Sequence, residues 1–131
     1  MAIATGHHTH QGGKLVLVDP SMGRQEAAGV TMLAPVQPAE AVRVDKYGQN
    51  GVLYQHPYPL SATELLVSRA PRHPGDSAAG YGLYFMSVDG RRELLVLDPK
   101  LSSHRPVPLA ARAKPHIRPS AVDYSKTTGT F

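Results

Sequence analysis

The stretch from residue 51 to residue 99 constrains the fold most, because four short apolar runs follow one another with turn-forming residues in every gap. The first gap holds Pro57-Tyr58-Pro59-Leu60-Ser61, and the third holds Asp89-Gly90. Asp-Gly between two apolar runs predicts a hairpin with a two-residue type I′ turn. We therefore predict sequential antiparallel strands, with no helix between residues 82 and 97. The predicted strands cover residues 52–56, 64–68, 82–88 and 93–97.

The N-terminal part of the chain repeats part of this pattern. Gly23-Arg24-Gln25-Glu26 recurs as Gly90-Arg91-Arg92-Glu93, and each copy lies between two apolar runs. We predict three strands in this part, at residues 1–5, 14–19 and 29–33. Four consecutive apolar residues, 15–18, favour burial of the second strand on both faces.

These patterns predict an all-β fold, specifically part of a β-propeller. Residues 1–35 would supply three strands of one blade, and residues 51–100 a complete four-stranded blade. Residues 36–50 would be an insertion between blades, with a helical turn at 39–44. Residues 101–131, which are rich in proline, would form an extended segment leading toward a following domain.

A propeller fragment of this size cannot close a ring of blades. We therefore expect the outer faces of the strands at 14–19 and 64–68 to lack a neighbouring blade. Exposed apolar faces and unpaired strand edges favour association. We therefore expect the isolated chain to associate, to aggregate, or to show poor hydrogen-exchange protection at residues 1–19.

Composition excludes several kinds of site. The 131-residue chain contains no cysteine, which excludes disulfides, thiolate zinc sites, a cysteine nucleophile and a Cys-x-x-Cys-His haem attachment. The net charge of +4 is dispersed, and the basic residues between 105 and 118 lack interleaved aromatics, so we expect no nucleic-acid partner. No apolar run approaches 18 residues, so we expect no insertion into a membrane.

Three histidines near the N-terminus, His7, His8 and His10, form the strongest candidate metal site. Imidazoles bind zinc or copper, but a site needs a third or fourth ligand and groups that orient the ligands. His56, His73 and Asp76 would complete one only if the fold brought them close. We favour a polar loop that binds no metal with micromolar or better affinity, and we predict no cofactor in this chain.

Tyr54, His56 and Tyr58 form a second candidate site. Side chains alternate along a strand, so Tyr54 and His56 would share one face, and innermost propeller strands line the central channel. The three residues would then form a pocket. The alternative is a rigid strand exit, in which two prolines fix the backbone and Tyr58 covers apolar neighbours.

A third string, residues 75–80, resembles the Gly-x-Ser-x-Gly motif of serine hydrolases. Its second glycine is one position late, and no strand runs directly into it. We interpret it as a loop, and we assign no catalytic residue in this chain.

Four parts of the sequence together resemble a known family: residues 54–61, residues 65–68, Tyr84-Phe85-Met86-Ser87-Val88-Asp89-Gly90, and residues 106–119. The chain resembles the propeller and middle-domain region of hydrazine synthase alpha-subunit-like proteins of planctomycete-type bacteria. More distantly, the Tyr-x-Met-x-x-Asp-Gly pattern is similar to the translocation propellers of the Tol system.

This resemblance implies a periplasmic or otherwise extracytoplasmic location. It also implies partners within a parent protein, namely its remaining blades and its following domain. A separate protein is a further candidate partner. We expect a non-catalytic scaffold or interaction module. The alternative is a fragment of a multihaem redox enzyme whose haem-binding parts lie outside this chain, and whether the parent is an enzyme stays open.

Overall fold

Two antiparallel β-sheets make up the regular structure of a computed structural model that describes residues 1–8, 12–23, 25, 27–34, 51–70 and 80–128. The first sheet contains β1 (Ala2–Ala4), β2 (Lys14–Val18) and β3 (Val30–Ala34), in that order. The second contains β4 (Tyr54–Pro59), β5 (Glu64–Arg69), β6 (Gly82–Ser87) and β7 (Arg92–Val96). A short 3₁₀ turn, Pro20–Met22, lies between β2 and β3.

All seven predicted strands are present, and the predicted order of the four-stranded sheet is confirmed. No helix occurs between residues 82 and 97. The proposed insertion at 36–50, including the helical turn at 39–44, lies outside the described residues. Across the described ranges, no helix has the length and apolar character needed to cross a bilayer.

The sequence predicted a turn at the proline-containing string after His56. In the structure this string instead continues β4 as far as Pro59. Proline has no N–H to donate to a neighbouring strand, so within sheets it is tolerated on edge strands and at bulges. β4 is an edge strand, and its pairing with β5 shifts between Gln55 and Tyr58. The turn itself lies at residues 60–63, where Leu60 N–H donates to the Glu64 carbonyl at 2.9 Å.

The Asp89-Gly90 hairpin is present, but it is not the two-residue type I′ turn that the sequence predicted. Such a turn needs positive φ at both central residues, and only Gly90 has it, at 92°. The Gly90 N–H donates to the Ser87 carbonyl at 3.0 Å, and the Ser87 N–H donates to the Arg91 carbonyl at 2.8 Å. This is the pattern of a three-residue loop that ends in a glycine bulge.

The two repeated hairpins share one local interaction. The Asp19 carboxylate accepts from the Ser21 N–H at 2.9 Å, and the Asp89 carboxylate accepts from the Arg91 N–H at 3.1 Å. Hydrogen bonds from the Ser21 hydroxyl and N–H lower the pKa of Asp19. The pKa of Asp89 is lowered first by the Arg91 N–H and then by the Ser87 side chain.

Both sheets contribute to one hydrophobic core. Gly13 and Tyr54 exchange two backbone hydrogen bonds, of 3.1 and 2.8 Å, which join the sheets at the start of β4. A Cβ on Gly13 would clash with the Ala4 carbonyl oxygen, so this close approach requires glycine. The core contains Leu15, Leu33, Ala34, Tyr54, Leu65, Val67, Tyr84 and Met86.

Burial differs from the prediction at two places. Leu15 and Val16, adjacent residues on opposite faces of β2, are both buried as predicted, whereas Val18 is exposed. The outer faces of β2 and β5 were expected to lack a neighbouring blade. Leu65 and Val67, on the face of β5 that meets the core, are fully buried, whereas Leu66 on the other face is half-buried. The exposed apolar strand is instead β7, which lies at the end of its sheet and contributes no residue to the core cluster.

Candidate functional site

A cluster of three rings connects the four-stranded sheet to the C-terminal segment, defined here as residues 101–128. The His104 ring lies 5.5 Å from the His56 ring, in an edge-to-face arrangement, and 4.9 Å from the Tyr81 ring. We call His56, Tyr81 and His104 the ring cluster. It joins a residue of β4, the residue directly before β6 and a residue of a segment without regular secondary structure.

The bulge in β4 determines where its side chains lie. Tyr54 pairs with Arg69 and Tyr58 pairs with Leu66, and these two partners are three residues apart on β5. Residues an odd number apart on a strand lie on opposite faces, so Tyr54 and Tyr58 also lie on opposite faces. Tyr54 is buried in the core, whereas the Tyr58 ring centroid lies 5.3 Å from the Arg112 guanidinium carbon.

Two of the three non-glycine residues with positive φ among the described residues lie at the same place, and the third is His8. His56 has a φ of 49° and Arg105 a φ of 53°, in the left-handed region that favours glycine. A non-glycine residue there costs about 1–2 kcal/mol. His56 lies within the β4 bulge, and Arg105 directly follows His104. Strained residues of this kind are frequently found at functional sites.

The C-terminal segment is held at the cluster by hydrogen bonds to Tyr81. The Tyr81 N–H donates to the Ser102 hydroxyl at 3.1 Å, and the Ser103 N–H donates to the Tyr81 carbonyl at 2.7 Å. The Tyr81 hydroxyl lies against Gly12, where a Cβ would come within 2.6 Å of it. Pro106, two residues beyond His104, is buried. Tyr81 therefore anchors the segment and also contacts the loop before β2.

The electrostatics of the cluster favour the neutral imidazole of His56. Burial lowers the pKa of His56, and the charges of His104 and Arg105 lower it further. The His56 Nδ1 atom is buried and has no hydrogen-bond partner among the described residues. Burial also raises the pKa of the Tyr81 hydroxyl. The cluster can exchange a proton at His56, and its rings and hydrogen bonds position the C-terminal segment.

The N-terminal histidines lie elsewhere. The His7 and His8 rings are 3.8 Å apart and exposed, while His10, His73 and Asp76 lie outside the described residues, as do residues 75–79. Within the described ranges, no three His, Cys, Asp or Glu side chains come close enough to hold a metal ion. The expected weakness of metal binding stays a prediction, which zinc calorimetry on the whole chain tests.

The pocket of Tyr54, His56 and Tyr58 also stays a prediction as a binding site. The structure places these residues in three environments: the core, the ring cluster and the contact with Arg112. Sequence reasoning missed Tyr81, His104 and Arg105. Their local sequence carries no site motif, and only the path of the C-terminal segment brings them to β4.

A separate groove of about 650 Å³ lies at the β6–β7 hairpin. Its walls carry both signs of charge, with Glu64 and Glu93 facing the same space as Arg91 and Arg92, and Phe85 contributes an apolar surface. Arg91 is already paired with Asp89, at 2.8 Å between Nε and Oδ2. The mixed charge indicates no single class of small ligand.

The fold and this cluster define an all-β protein, in which two sequential antiparallel sheets share one core and a C-terminal segment is fastened to the first strand of the second sheet. Comparison with protein-family models, with curated proteins and with solved structures found no match.

Proposed function

We propose that the chain is a non-catalytic scaffold or interaction module made of β-propeller blades, within a larger exported protein that resembles the hydrazine synthase alpha subunit. On this proposal the first sheet is three strands of one blade, and β4 to β7 form the next complete blade. The natural partners are then the remaining blades and the following domain of the parent protein.

The observation that carries the proposal is the sequential order β4-β5-β6-β7 in one antiparallel sheet. A propeller blade is a four-stranded sheet of this kind, and blades pack side by side around an axis. The bridge between Gly13 and Tyr54 supports the same arrangement, because it brings the first strand of the second sheet against the preceding sheet.

The ring cluster supports a positioning role rather than a chemical one. Its side chains contact one another and the C-terminal segment, and Ser102 and Ser103 bond to the backbone of Tyr81. The segment therefore leaves the second sheet along a defined path past β4. A path fixed in this way would orient a following domain relative to the blades.

The test is to extend the open reading frame in both directions and to determine the structure of the encoded parent protein. We expect further four-stranded repeats that close a ring, an export signal, and a domain after residue 131. Cys-x-x-Cys-His motifs in the extension would favour the multihaem redox enzyme instead. A gene that encodes only these 131 residues, with a monomeric and cooperatively melting product, would contradict the propeller proposal.

A further inference from the structure

Most of the C-terminal segment is exposed, and its attachment to the folded sheets is concentrated near its start. All residues from 109 to 128 are exposed, although the Arg112 guanidinium lies over the Tyr58 ring. Pro106 is buried, and it follows directly on the ring cluster. A change that weakens the contacts at residues 102–106 would therefore free the path of everything that follows them.

Two kinds of contact hold the start of the segment. The bonds of Ser102 and Ser103 to Tyr81 use backbone groups and a hydroxyl, which do not titrate near neutral pH. The next contact joins the rings of His104 and His56, which lie 5.5 Å apart. Histidine is the side chain whose charge changes between about pH 5 and 8, so acid acts on the second contact and not on the first.

The charges that act on His56 among the described residues are positive. His104 and Arg105, both on the C-terminal segment, oppose its protonation. The third ring of the cluster, Tyr81, supplies no negative charge, because burial raises the pKa of its hydroxyl above the ordinary value. Protonation of His56 would therefore put a third positive charge beside two others.

In the described part of the chain, no carboxylate on the elements that pack against β4 balances this charge. On β5, Arg69 turns to the core side, where its guanidinium lies 5.2 Å from the centre of the Tyr84 ring, and Glu64 lies at the other end of that strand. On β2, Lys14 is buried. Just before the C-terminal segment, the Asp98 carboxylate accepts from the N–H groups of residues 100 and 101.

The position of the His56 ring adds a second cost to protonation. Its Nδ1 atom is buried and has no hydrogen-bond partner among the described residues, so the neutral ring carries its proton on Nε2. A protonated ring has an N–H at both nitrogens, and the new N–H at Nδ1 would lack an acceptor. His56 belongs to a paired strand, whereas His104 and Arg105 are exposed and can move into water.

We propose that the ring cluster is an acid-sensitive contact, in which a proton taken up at the His56 Nδ1 atom releases residues 104–128 from β4 while Ser102 and Ser103 stay bonded to Tyr81. Release hydrates the new N–H and separates the three positive charges. It also frees Arg105 from its positive φ, which persists only while the surrounding contacts hold it.

The sign follows from linkage. Attachment lowers the pKa of His56, so the attached chain binds this proton less readily than the released chain, and acid favours release. A pKa difference of one between the two states corresponds to a tenfold shift of the equilibrium. The release concerns this chain alone. Only its consequence, that a following domain loses its fixed orientation in acid, rests on the proposed function.

Backbone ¹⁵N relaxation of the full chain tests the release. At about pH 7.5 the amides of His104, Arg105 and Val107 should be as rigid as those of β4, with order parameters of about 0.85, and at about pH 5 they should fall below about 0.6. The Ser103 amide should stay rigid, and the change should follow the titration of the His56 ring. We expect the ratio of released to attached chain to rise at least about tenfold over this range.

Three variants identify the group responsible. His56→Phe keeps a ring that cannot take a proton, so the segment should stay attached at about pH 5. Arg105→Gln removes one opposing charge and should lower the released fraction at that pH. Because Arg105 is exposed, this variant remains informative even where the phenylalanine variant fails to fold. The matched control is His116→Gln, which removes an exposed histidine of the same segment and should release as the natural chain does.

Three results would overturn the inference: residues 104–107 that stay rigid at about pH 5, a release that neither His56→Phe nor Arg105→Gln alters, or β4 amides that lose their rigidity at the same pH, which would be general unfolding. None of these results bears on a ring of blades, which the extended reading frame tests separately.

Discussion

The tetrapeptide Glu-Leu-Leu-Val occurs twice in the four-stranded sheet, and its two copies differ in burial. In β5 it is Glu64-Leu65-Leu66-Val67, and its Leu65 and Val67 are fully buried. In β7 it is Glu93-Leu94-Leu95-Val96, and all four residues are exposed. β5 lies between β4 and β6 and packs on the core shared with the first sheet, whereas β7 lies at the end of the sheet. Position in the sheet, rather than local sequence, determines burial here.

The strongest way to test this contrast is to truncate the same leucine in both copies. Leu65→Ala should lower the free energy of unfolding by about 2–5 kcal/mol, because it leaves a cavity in the core. Leu94→Ala should lower it by less than about 1 kcal/mol, since half of that side chain is already in water. Urea denaturation of the two variants, at a concentration where the chain is monomeric, measures both values. Equal losses would mean that β7 is covered in solution.

A second test concerns the hairpin that connects β7 to the rest of the sheet. Gly90 has a φ of 92°, and an added Cβ would meet no atom within 4 Å. Gly90→Ala should therefore destabilise the chain through backbone strain alone, by about 1 kcal/mol. Gly90→Asn should lose less, because asparagine tolerates positive φ better than alanine. Thermal melts of both variants give the comparison, and an alanine variant as stable as the natural chain would refute the hairpin geometry.

A third test uses the residue that follows each tetrapeptide, Ser68 in β5 and Leu97 in β7. Ser68 is fully buried, and its hydroxyl has no hydrogen-bond partner among the described residues. Removing an unpaired buried hydroxyl should stabilise the chain by up to about 1 kcal/mol, so Ser68→Ala should raise the urea midpoint. Leu97→Ala, on the exposed edge, should leave the midpoint unchanged or slightly lower. A destabilised Ser68→Ala variant would show that the hydroxyl is bonded in solution.

The smallest expected effect concerns the opposite edge of the sheet, β4, which the C-terminal segment contacts at His56. The folded chain holds the pKa of His56 below the ordinary value of about 6.5, mainly through burial. The unfolded chain then binds more protons than the folded chain below about pH 6.5. The contribution of His56 to stability is therefore fully present above that pH and is lost as the pH falls through the lowered folded value.

NMR titration of the histidine ring protons measures this pKa directly. His104→Gln and Arg105→Gln should each raise it, because each removes a charge that opposes protonation, but burial should keep it below the ordinary value. His7→Gln, at an exposed position, serves as the control and should leave the His56 titration unchanged. A His56 pKa that does not respond to either substitution near it would mean that the C-terminal segment is not held at β4 in solution.

Much of the secondary structure was predictable from local pattern. The apolar runs and the Gly, Pro and Asp-Gly turn signals located all seven strands. Two short connections, between β4 and β5 and between β6 and β7, favoured antiparallel pairing, although β5 and β6 are joined by a longer one. The same rules failed at residues 57–59. They treat proline as a turn signal and take no account of where a strand lies in its sheet. On an edge strand, next to a bulge, the missing N–H of Pro57 costs nothing in strand pairing.

The candidate site was less predictable than the strands. Tyr54, His56 and Tyr58 were chosen on the assumption of strict alternation, and the bulge at His56 breaks that alternation. The bulge arises from how β4 pairs with β5, and a single strand carries no signal of it. His104 is nearly fifty residues from His56 in the sequence, so only the return of the C-terminal segment across the sheet makes them neighbours.

The sequence by itself determined the all-β class of structure. The apolar runs and the turn residues favour strands and turns through local backbone preferences, which do not depend on where a segment lies in the folded chain. It also determined the repeated Asp-led hairpins, whose carboxylates bond two residues ahead. Only the tertiary structure decided which copy of Glu-Leu-Leu-Val is buried, which faces Tyr54 and Tyr58 occupy, and which rings meet at β4. Those outcomes depend on contacts between segments distant in the chain, and the free energy of burial depends on the neighbours that cover a side chain rather than on its own sequence.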